Sequence, residues 1–388
     1  MKILQLPSWY LPEGGQFCLH QSIALQEQGL DVHILANVVL PWRKYKGTIL
    51  NYPFKAFTST ENGILTYRYY SWKYPFVDIP NIIKWTKKTV KLFEQYSKTY
   101  GFPDIIHVHS SMWGGYAASI IKKKYNIPYV ITEHRGIFGM ATTYARKKFK
   151  PRYEAFLTDA FSNANYIVPV SSQQINQIKT FCQNKTVPIK TIPNILNTDY
   201  FHPIERKRKK NNPFIFISVN GFNPFKGYEF LLPAFDMVCE TNSNVHLRIV
   251  GEDFDKKEFQ LLLQKSNNKE KISFAGEVTK EKVRKELWNA DAFVIASRTE
   301  AQSVATVEAM STGLPVVGTT VTPKEILTER CGYLVPVENS KELAIAMEKM
   351  ILNHKNFDGN YISAHTKKLV SKDVVVNQII SVYNKILT

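Results

Sequence analysis

A chain of 388 residues, 44% apolar and 21% charged, has the make-up of a soluble globular protein, and its length is past the point where a single core stops growing, so two domains are expected. The formal net charge of +17 is the one compositional outlier. Four cysteines, Cys18, Cys182, Cys239 and Cys331, stand far apart, match no metal or redox spacing and read as reduced, buried thiols of a cytosolic protein.

The N-terminal run Met1-Lys-Ile-Leu-Gln-Leu meets Pro7 and then the polar Pro12-Glu-Gly-Gly15 too early for a signal peptide, and no later stretch holds about 18 uninterrupted apolar residues. The expectation is a protein that is neither secreted nor membrane-spanning. In chain order, Lys2 to Leu6 reads as a strand, Gln21 to Gln28 as a helix closed by Gly29, and Val32 to Ala36 as a second strand. Lys84, Lys87, Lys88 and Lys91 then interleave with Ile82, Ile83, Trp85, Val90, Leu92 and Phe93 as a basic amphipathic helix. Short buried strands follow at Ile105 to Val108, Tyr129 to Thr132 and Tyr166 to Val170, each separated by helical sequence, which is the pattern of a parallel sheet covered on both faces. A second basic cluster, Arg146, Lys147, Lys148, Lys150 and Arg152, lies among aromatics in this half. Both segments would be drawn to an anionic membrane surface, or equally read as solvated faces.

After Ile192-Pro-Asn194 the alternation pauses in a polar stretch that contains Arg206-Lys-Arg-Lys-Lys210 and ends at Pro213, where a linker fits. It restarts with a strand from Phe214 to Val219 and a helix through Glu229 to Val238. A strand from Val245 to Val250 and a helix from Lys256 to Lys265 come next, then a strand from Ile272 to Ala275 and a helix from Lys280 to Asn289. The apolar Ala292-Phe-Val-Ile-Ala296 is the next strand and Val304 to Thr312 a helix, stopped by Gly313 before the strand Pro315-Val-Val317. The last helix is Val374 to Leu387. Two similar α/β halves in tandem result, with domain bounds at 1–200 and 201–370 and a final helix over 371–388 that crosses back onto the first domain.

The strand-to-helix turn between Ser297 and Val304 is the most informative stretch. Glu300 lies in the loop at a strand's carboxyl end, where open α/β sheets bind ligands. Ser303 is placed to cap the helix that Val304 begins, and the free amides there favour an anion such as a diphosphate. Two carboxylates beside a phosphate, Glu300 and Glu308, suit the hydrogen bonding of sugar and ribose hydroxyls. The alternative is a solvated helix residue in Glu308 and a loop carboxylate near Arg298 in Glu300.

Several segments together resemble the nucleotide-sugar-binding half of the retaining glycosyltransferases of family 4, which have the GT-B fold. They are Ser218-Val-Asn-Gly-Phe-Asn-Pro-Phe-Lys-Gly227, Leu247-Arg-Ile-Val-Gly251, Ile272-Ser-Phe-Ala-Gly276, the Glu300 to Val317 stretch and Cys331-Gly-Tyr-Leu-Val335. In the first half, Ser8-Trp-Tyr10 with Gly14, Gly15 and Phe17 resembles the family's glycine-bearing first loop. Asp104-Ile-Ile-His-Val-His109 and Ile131-Thr-Glu-His134 resemble its histidine-bearing strand ends. The resemblance implies an α/β fold of two Rossmann-like domains facing a central cleft, with a donor held by one and an acceptor by the other.

It also implies roles. Lys226 would meet the donor diphosphate, Glu308 the ribose and Glu300 the transferred sugar, where it would offset an oxocarbenium-like charge. Gln302, Ser303 and Val304 would line the donor, and Gly14 and Gly15 would let the backbone approach phosphate. His134, or His109 on the donor or acceptor side, would position an oxygen, as a neutral imidazole can. The family usually has an arginine where this chain has Gly221, and Arg298 is the candidate to compensate; Ala301-Gln-Ser303 replaces a glycine-rich tripeptide. Lys226 and the helix dipole can neutralise the leaving diphosphate in place of a divalent ion, so no metal or other cofactor is expected.

The implied activity moves a sugar from a nucleotide diphosphate sugar to a hydroxyl acceptor with retention. A saccharide, in particular a lipid-linked one of surface polysaccharide synthesis, is the acceptor to expect, at the inner face of the membrane. The alternatives are a nucleotide-sugar epimerase or hydrolase on the same architecture and a basic nucleic-acid binder. Nothing resembling a nucleic-acid module supports the last, and no nucleic-acid partner is expected.

Overall fold

The computed structural model describes residues 1–40, 51–53, 55–72, 77–139, 151–183, 186–205 and 212–388. Within these the chain divides into two compact units, the first made of 1–138, 151–195 and 372–388 and the second of 196–371. The division falls a few residues before the expected bound at 200, because Leu196 and Phe201 are buried in the core of the second unit and the Leu196 amide donates to the Val370 carbonyl. The run Arg206 to Lys210, with Arg146, Lys147, Lys148 and Lys150, lies outside the described residues.

The first unit is built on strands β1 (Lys2–Pro7), β2 (Asp31–Leu40), β3 (Phe57–Glu61), β4 (Ile64–Trp72), β5 (Ile105–His109), β6 (Tyr129–Glu133) and β7 (Tyr166–Pro169). Their order is β3-β4-β2-β1-β5-β6-β7. The neighbours pair in parallel except β3 and β4, a hairpin that turns at Asn62-Gly63, both at positive φ. Without the antiparallel edge strand this is a doubly wound sheet that reverses direction between β1 and β5.

Alternation along the strands sends side chains to both faces. On one face Leu4, Leu6, Ile106 and Val108 pack with Trp85, Leu92 and Phe93 of helix α2 (Asp78–Tyr100). That helix follows α1 (Gln16–Glu27) in the chain. On the other face Ile3, Val32, Ile105 and Val130 pack against Ala24 and Leu25 of α1 and against the C-terminal helix Lys372–Leu387. That last helix buries Val375, Val376, Ile379, Val382 and Tyr383, the spacing of a single helical stripe.

In the second unit β8 (Phe214–Val219), β9 (Val245–Val250), β10 (Ile272–Phe274), β11 (Ala292–Ile295), β12 (Val316–Thr319) and β13 (Gly332–Val335) are all parallel, in the order β10-β9-β8-β11-β12-β13. The strand order reverses between β8 and β11, the point at which such sheets open a ligand crevice at their carboxyl ends. The helix Val304–Ser311 starts beside it.

Because the C-terminal helix completes one face of the first unit's core, Ile379→Ala should cost about 2–5 kcal/mol of that unit's stability, read from its urea midpoint. A shift near zero would mean that the helix is not part of that cooperative core.

Candidate functional site

In the second unit the loops that follow β8 and β11 meet at the switch point. Gly227 closes the first loop at φ +66, and a Cβ on it would lie 2.1 Å from the Ala296 carbonyl oxygen, so only glycine lets the two loops touch. That contact places Lys226 beside the second loop. Its Nζ lies 2.7 Å from Oε1 of Glu300, and the Ser297 hydroxyl donates to the same oxygen at 2.7 Å. Ser297 is held in turn by the Thr319 hydroxyl, which donates to its carbonyl at 2.6 Å. Glu300 is buried, and its second carboxylate oxygen has no protein partner among the described residues.

The helix after Glu300 begins as its sequence suggests. Ser303 is the N-cap, its hydroxyl oxygen accepting from the Thr306 amide at 3.4 Å and from the Thr306 hydroxyl at 2.8 Å. The first-turn amides beyond the cap have no intrahelical acceptor. Gln302 and Ser303 are buried, and Val304 is exposed. Glu308, one turn on from Val304 and on the same face, is half-buried and has no hydrogen-bond or ion-pair partner for its carboxyl among the described residues. Burial pushes that carboxyl up from 4.5 to about 7, and the nearby Lys280 ammonium works in the opposite sense. A desolvated acid without a partner among the described residues can accept hydrogen bonds from a ligand.

Arg298 has a different task from the expected one. Its Nη1 donates to the Pro224 carbonyl at 2.7 Å and pairs with Glu229 at 2.5 Å, while its Nε pairs with Glu338 at 2.7 Å and the guanidinium lies 4.8 Å from the centre of the Phe230 ring. With these groups engaged, it ties the loops together instead of standing in for an arginine at 221. At Gly221 a Cβ would lie 3.0 Å from Cγ of Glu252 and 3.3 Å from its carbonyl, because the loop runs along residues 250–252, with Asn220 and Phe222 donating to Val250 and Glu252. A larger residue at 221 has to displace Glu252. Next to it the buried Oδ1 of Asn220 has no partner among the described residues.

The switch point of the first unit lies between β1 and β5. Gly14 and Gly15, at φ +100 and +79, precede α1, and a Cβ on Gly15 would meet the Trp9 carbonyl at 2.5 Å. The Ser8 hydroxyl accepts from the Trp113 and Gly114 amides and donates to the Ser110 carbonyl, joining the two loops. Here His107, His109 and His134 form a stacked column, with ring centres 4.9 Å and 5.2 Å apart, continued by Phe17 at 3.8 Å from His134.

Burial depresses all three imidazoles, His109 to about 3 and the others well below the ordinary value, so each is neutral at physiological pH. His109 does not reach a ligand: it is fully buried, with Nε2 2.7 Å from the Gln5 amide oxygen and Nδ1 2.9 Å from Nε2 of His134. It holds His134, which is half-buried and remains the candidate to touch an oxygen.

Some supporting residues carry no motif signal. Tyr383 of the C-terminal helix bonds Nδ1 of His107. The buried Glu133 accepts from the Ser111 amide and hydroxyl and from the Arg135 amide, bracing the loop after β5 and the segment around His134. The position of Glu133 beside His134 was visible; its partners, set by the fold, were not. Among the described residues no group of His, Cys, Asp and Glu could hold a metal ion, and no helix is long and apolar enough to cross a membrane.

The family model described as Glycosyltransferase Family 4 matches residues 14–200, and the model described as Glycosyl transferases group 1 matches residues 202–367. The chain belongs to glycosyltransferase family 4. It is similar to the putative teichuronic acid biosynthesis glycosyltransferase TuaC of Bacillus subtilis, with 26% identity over 83% of this chain and 81% of the relative. The chain spans 53% to 81% of the length of the curated relatives compared with it. Its fold is that of the sucrose-phosphate synthase from Thermosynechococcus elongatus, with a TM-score of 0.81 at 19% identity over 99% of each chain. The Anabaena HepE structure in complex with UDP follows it with a TM-score of 0.72 at 16% identity, covering 99% of this chain and 100% of that one. Two Rossmann-like domains of the GT-B type are therefore the fold class of this family member.

The raised carboxyl of Glu308 has a consequence for stability. Between pH 4.5 and about 7 the folded chain keeps a proton that the unfolded chain has released, so stability falls as pH rises across that window. Glu308→Gln should remove this slope, leaving the variant more stable than the wild type above the window and equal to it below. Urea unfolding across pH checks this; a difference independent of pH would show that Glu308 ionises normally.

Proposed function

We propose that the chain is a retaining glycosyltransferase that moves a sugar from a nucleotide diphosphate sugar to a hydroxyl acceptor. The observation that carries this reading is the half-buried Glu308, without a partner among the described residues, on the helix whose N-terminus lies at the switch point, with the Lys226 and Glu300 pair joining the two loops that meet there. A diphosphate fits between a lysine and free helix amides, and the ribose hydroxyls supply the donors that Glu308 lacks.

Lys226 would leave Glu300 for the diphosphate on binding, and the freed Glu300 carboxylate would face the sugar ring as positive charge develops at the anomeric carbon. The bond from that carbon to the diphosphate breaks, and the bond to the acceptor oxygen forms on the same face. The departing phosphate oxygen takes the acceptor's proton. Because the neighbouring HepE structure holds UDP, a uridine nucleotide is the first donor to try. Gly14, Gly15 and His134 are assigned to ligand oxygens on the first unit, Gln302, Ser303 and Val304 to the donor, and no metal is assigned.

For the acceptor, the name of TuaC supports a surface polysaccharide. Helix α2, which shows Ile83, Lys84, Lys87 and Lys91 to solvent, supports a lipid-linked one at an anionic membrane.

Thermal stabilisation by UDP-, GDP- and ADP-sugars identifies the donor. Glu308→Ala should weaken the active nucleotide sugar by about 10–100-fold, the worth of a hydrogen bond to a charged group. Equal binding by this variant would remove Glu308 from the site. Proton NMR of the product should show the donor's anomeric configuration; inversion, or release of free sugar alone, would overturn the proposed transfer.

A further inference from the structure

A small cavity of about 180 Å³ lies in the first unit where β2 and β4 end and α2 begins. Tyr69, Trp72, Trp85 and Trp113 line it together with Lys84 and Lys88. Trp85 is the fixed wall: it is buried, its indole N–H donates to the Asn37 carbonyl at 2.8 Å, and Trp113 packs edge-on against it with ring centres 5.8 Å apart. Tyr69, Trp72 and Trp113 are only half-buried, so each side chain keeps part of its surface exposed. Lys84 reaches the Trp72 carbonyl at 3.3 Å, and the Lys88 ammonium lies 3.6 Å from the centre of the Tyr69 ring.

The charge here is not balanced from its own helix. Of the two carboxylates on α2, Asp78 is held by Arg152 and Tyr153, and Glu94 by Lys124 and Tyr125. Among the described residues no carboxylate pairs with Lys88. A helix face built only for solubility would show its lysines to water, but Lys88 lies half-buried on an aromatic ring in a cavity wall. Aromatic walls with a few cations make a site for a ring that is apolar on its faces and negatively charged at one substituent. The volume admits one such ring, being below that of sites for drug-sized ligands.

We propose that this cavity is a subsite for a pyranose carrying a carboxylate or a phosphate. It rests on the glycosyltransferase reading only in that the pyranose would belong to the acceptor. Lys88 and Lys84 would neutralise the substituent, and Trp72 and Trp113 would lie against the sugar's carbon–hydrogen faces.

Three of the chain's six tryptophans line the cavity, so intrinsic fluorescence of the full-length protein reports its occupancy. Titration with glucuronic acid, glucose 6-phosphate and glucose separates carboxylate, phosphate and neutral rings. At least one of the acidic sugars should give a saturable change with a Kd on the order of millimolar, about tenfold tighter than glucose. Lys88→Met should erase that preference and Lys88→Arg should keep it, while stabilisation by the donor nucleotide sugar stays as in the wild type. Lys84→Met gives an independent second loss. No saturable response to either acid, equal affinity for glucose, or an unchanged preference in Lys88→Met would overturn the proposal. Binding of an acidic sugar by a protein that no nucleotide sugar stabilises would leave the cavity standing and sink the donor assignment instead.

Discussion

At Gly227 the second unit has no room for a methyl group. The 2.1 Å that would separate a Cβ from the Ala296 carbonyl is the constraint on which the rest of the site depends, because it presses the loop after β8 onto the end of β11. Lys226, the preceding residue, is thereby set against Glu300. The same approach joins the Arg298 amide to the Phe225 carbonyl at 2.8 Å and lets the Arg298 side chain clamp Glu229 and Glu338. A backbone contact between two loops thus positions the charges, and the parallel strand order is what delivers both loops to one point.

The two units arrange polar chemistry at their switch points in opposite ways. In the second, charge is retained: a lysine and a carboxylate form a pair that an anionic ligand can compete for, and Glu308 is left half-desolvated with no partner among the described residues. In the first, charge is removed. Three stacked histidines are held neutral by burial and tied to Gln5, Thr132 and Tyr383. Such a column cannot supply a cation at neutral pH; it supplies a rigid wall ending in His134. The C-terminal helix is part of that wall, since the Tyr383 hydroxyl reaches the far end of the column.

Much of this was legible in the sequence where the signal is local. The strand from Ala292, the cap at Ser303 and the stop at Gly313 are written in neighbouring residues, and the structure has a strand over Ala292–Ile295 and a helix over Val304–Ser311. The β3 and β4 hairpin was not read, although Asn62-Gly63 between two β-rich runs is its signature; the runs alternate too weakly to stand out beside the buried parallel strands. Arg298 was misjudged for a different reason. Its partners are 69 and 40 residues away, and a search for a lost cation at Gly221 settles on the arginine two residues before Glu300 without seeing that it is already paired. His109 carries the same lesson: a motif marks a position, and only packing decides whether the side chain faces a ligand or a neighbour.

A structure of the full chain bound to its nucleotide diphosphate sugar tests the central assignment most directly. The ribose hydroxyls are expected on the Glu308 carboxylate, and the diphosphate between Lys226 and the amides that open the helix at Val304, with the Lys226 and Glu300 contact broken. A diphosphate away from Lys226, or a ribose that leaves Glu308 untouched, would contradict the reading of this turn as the donor site.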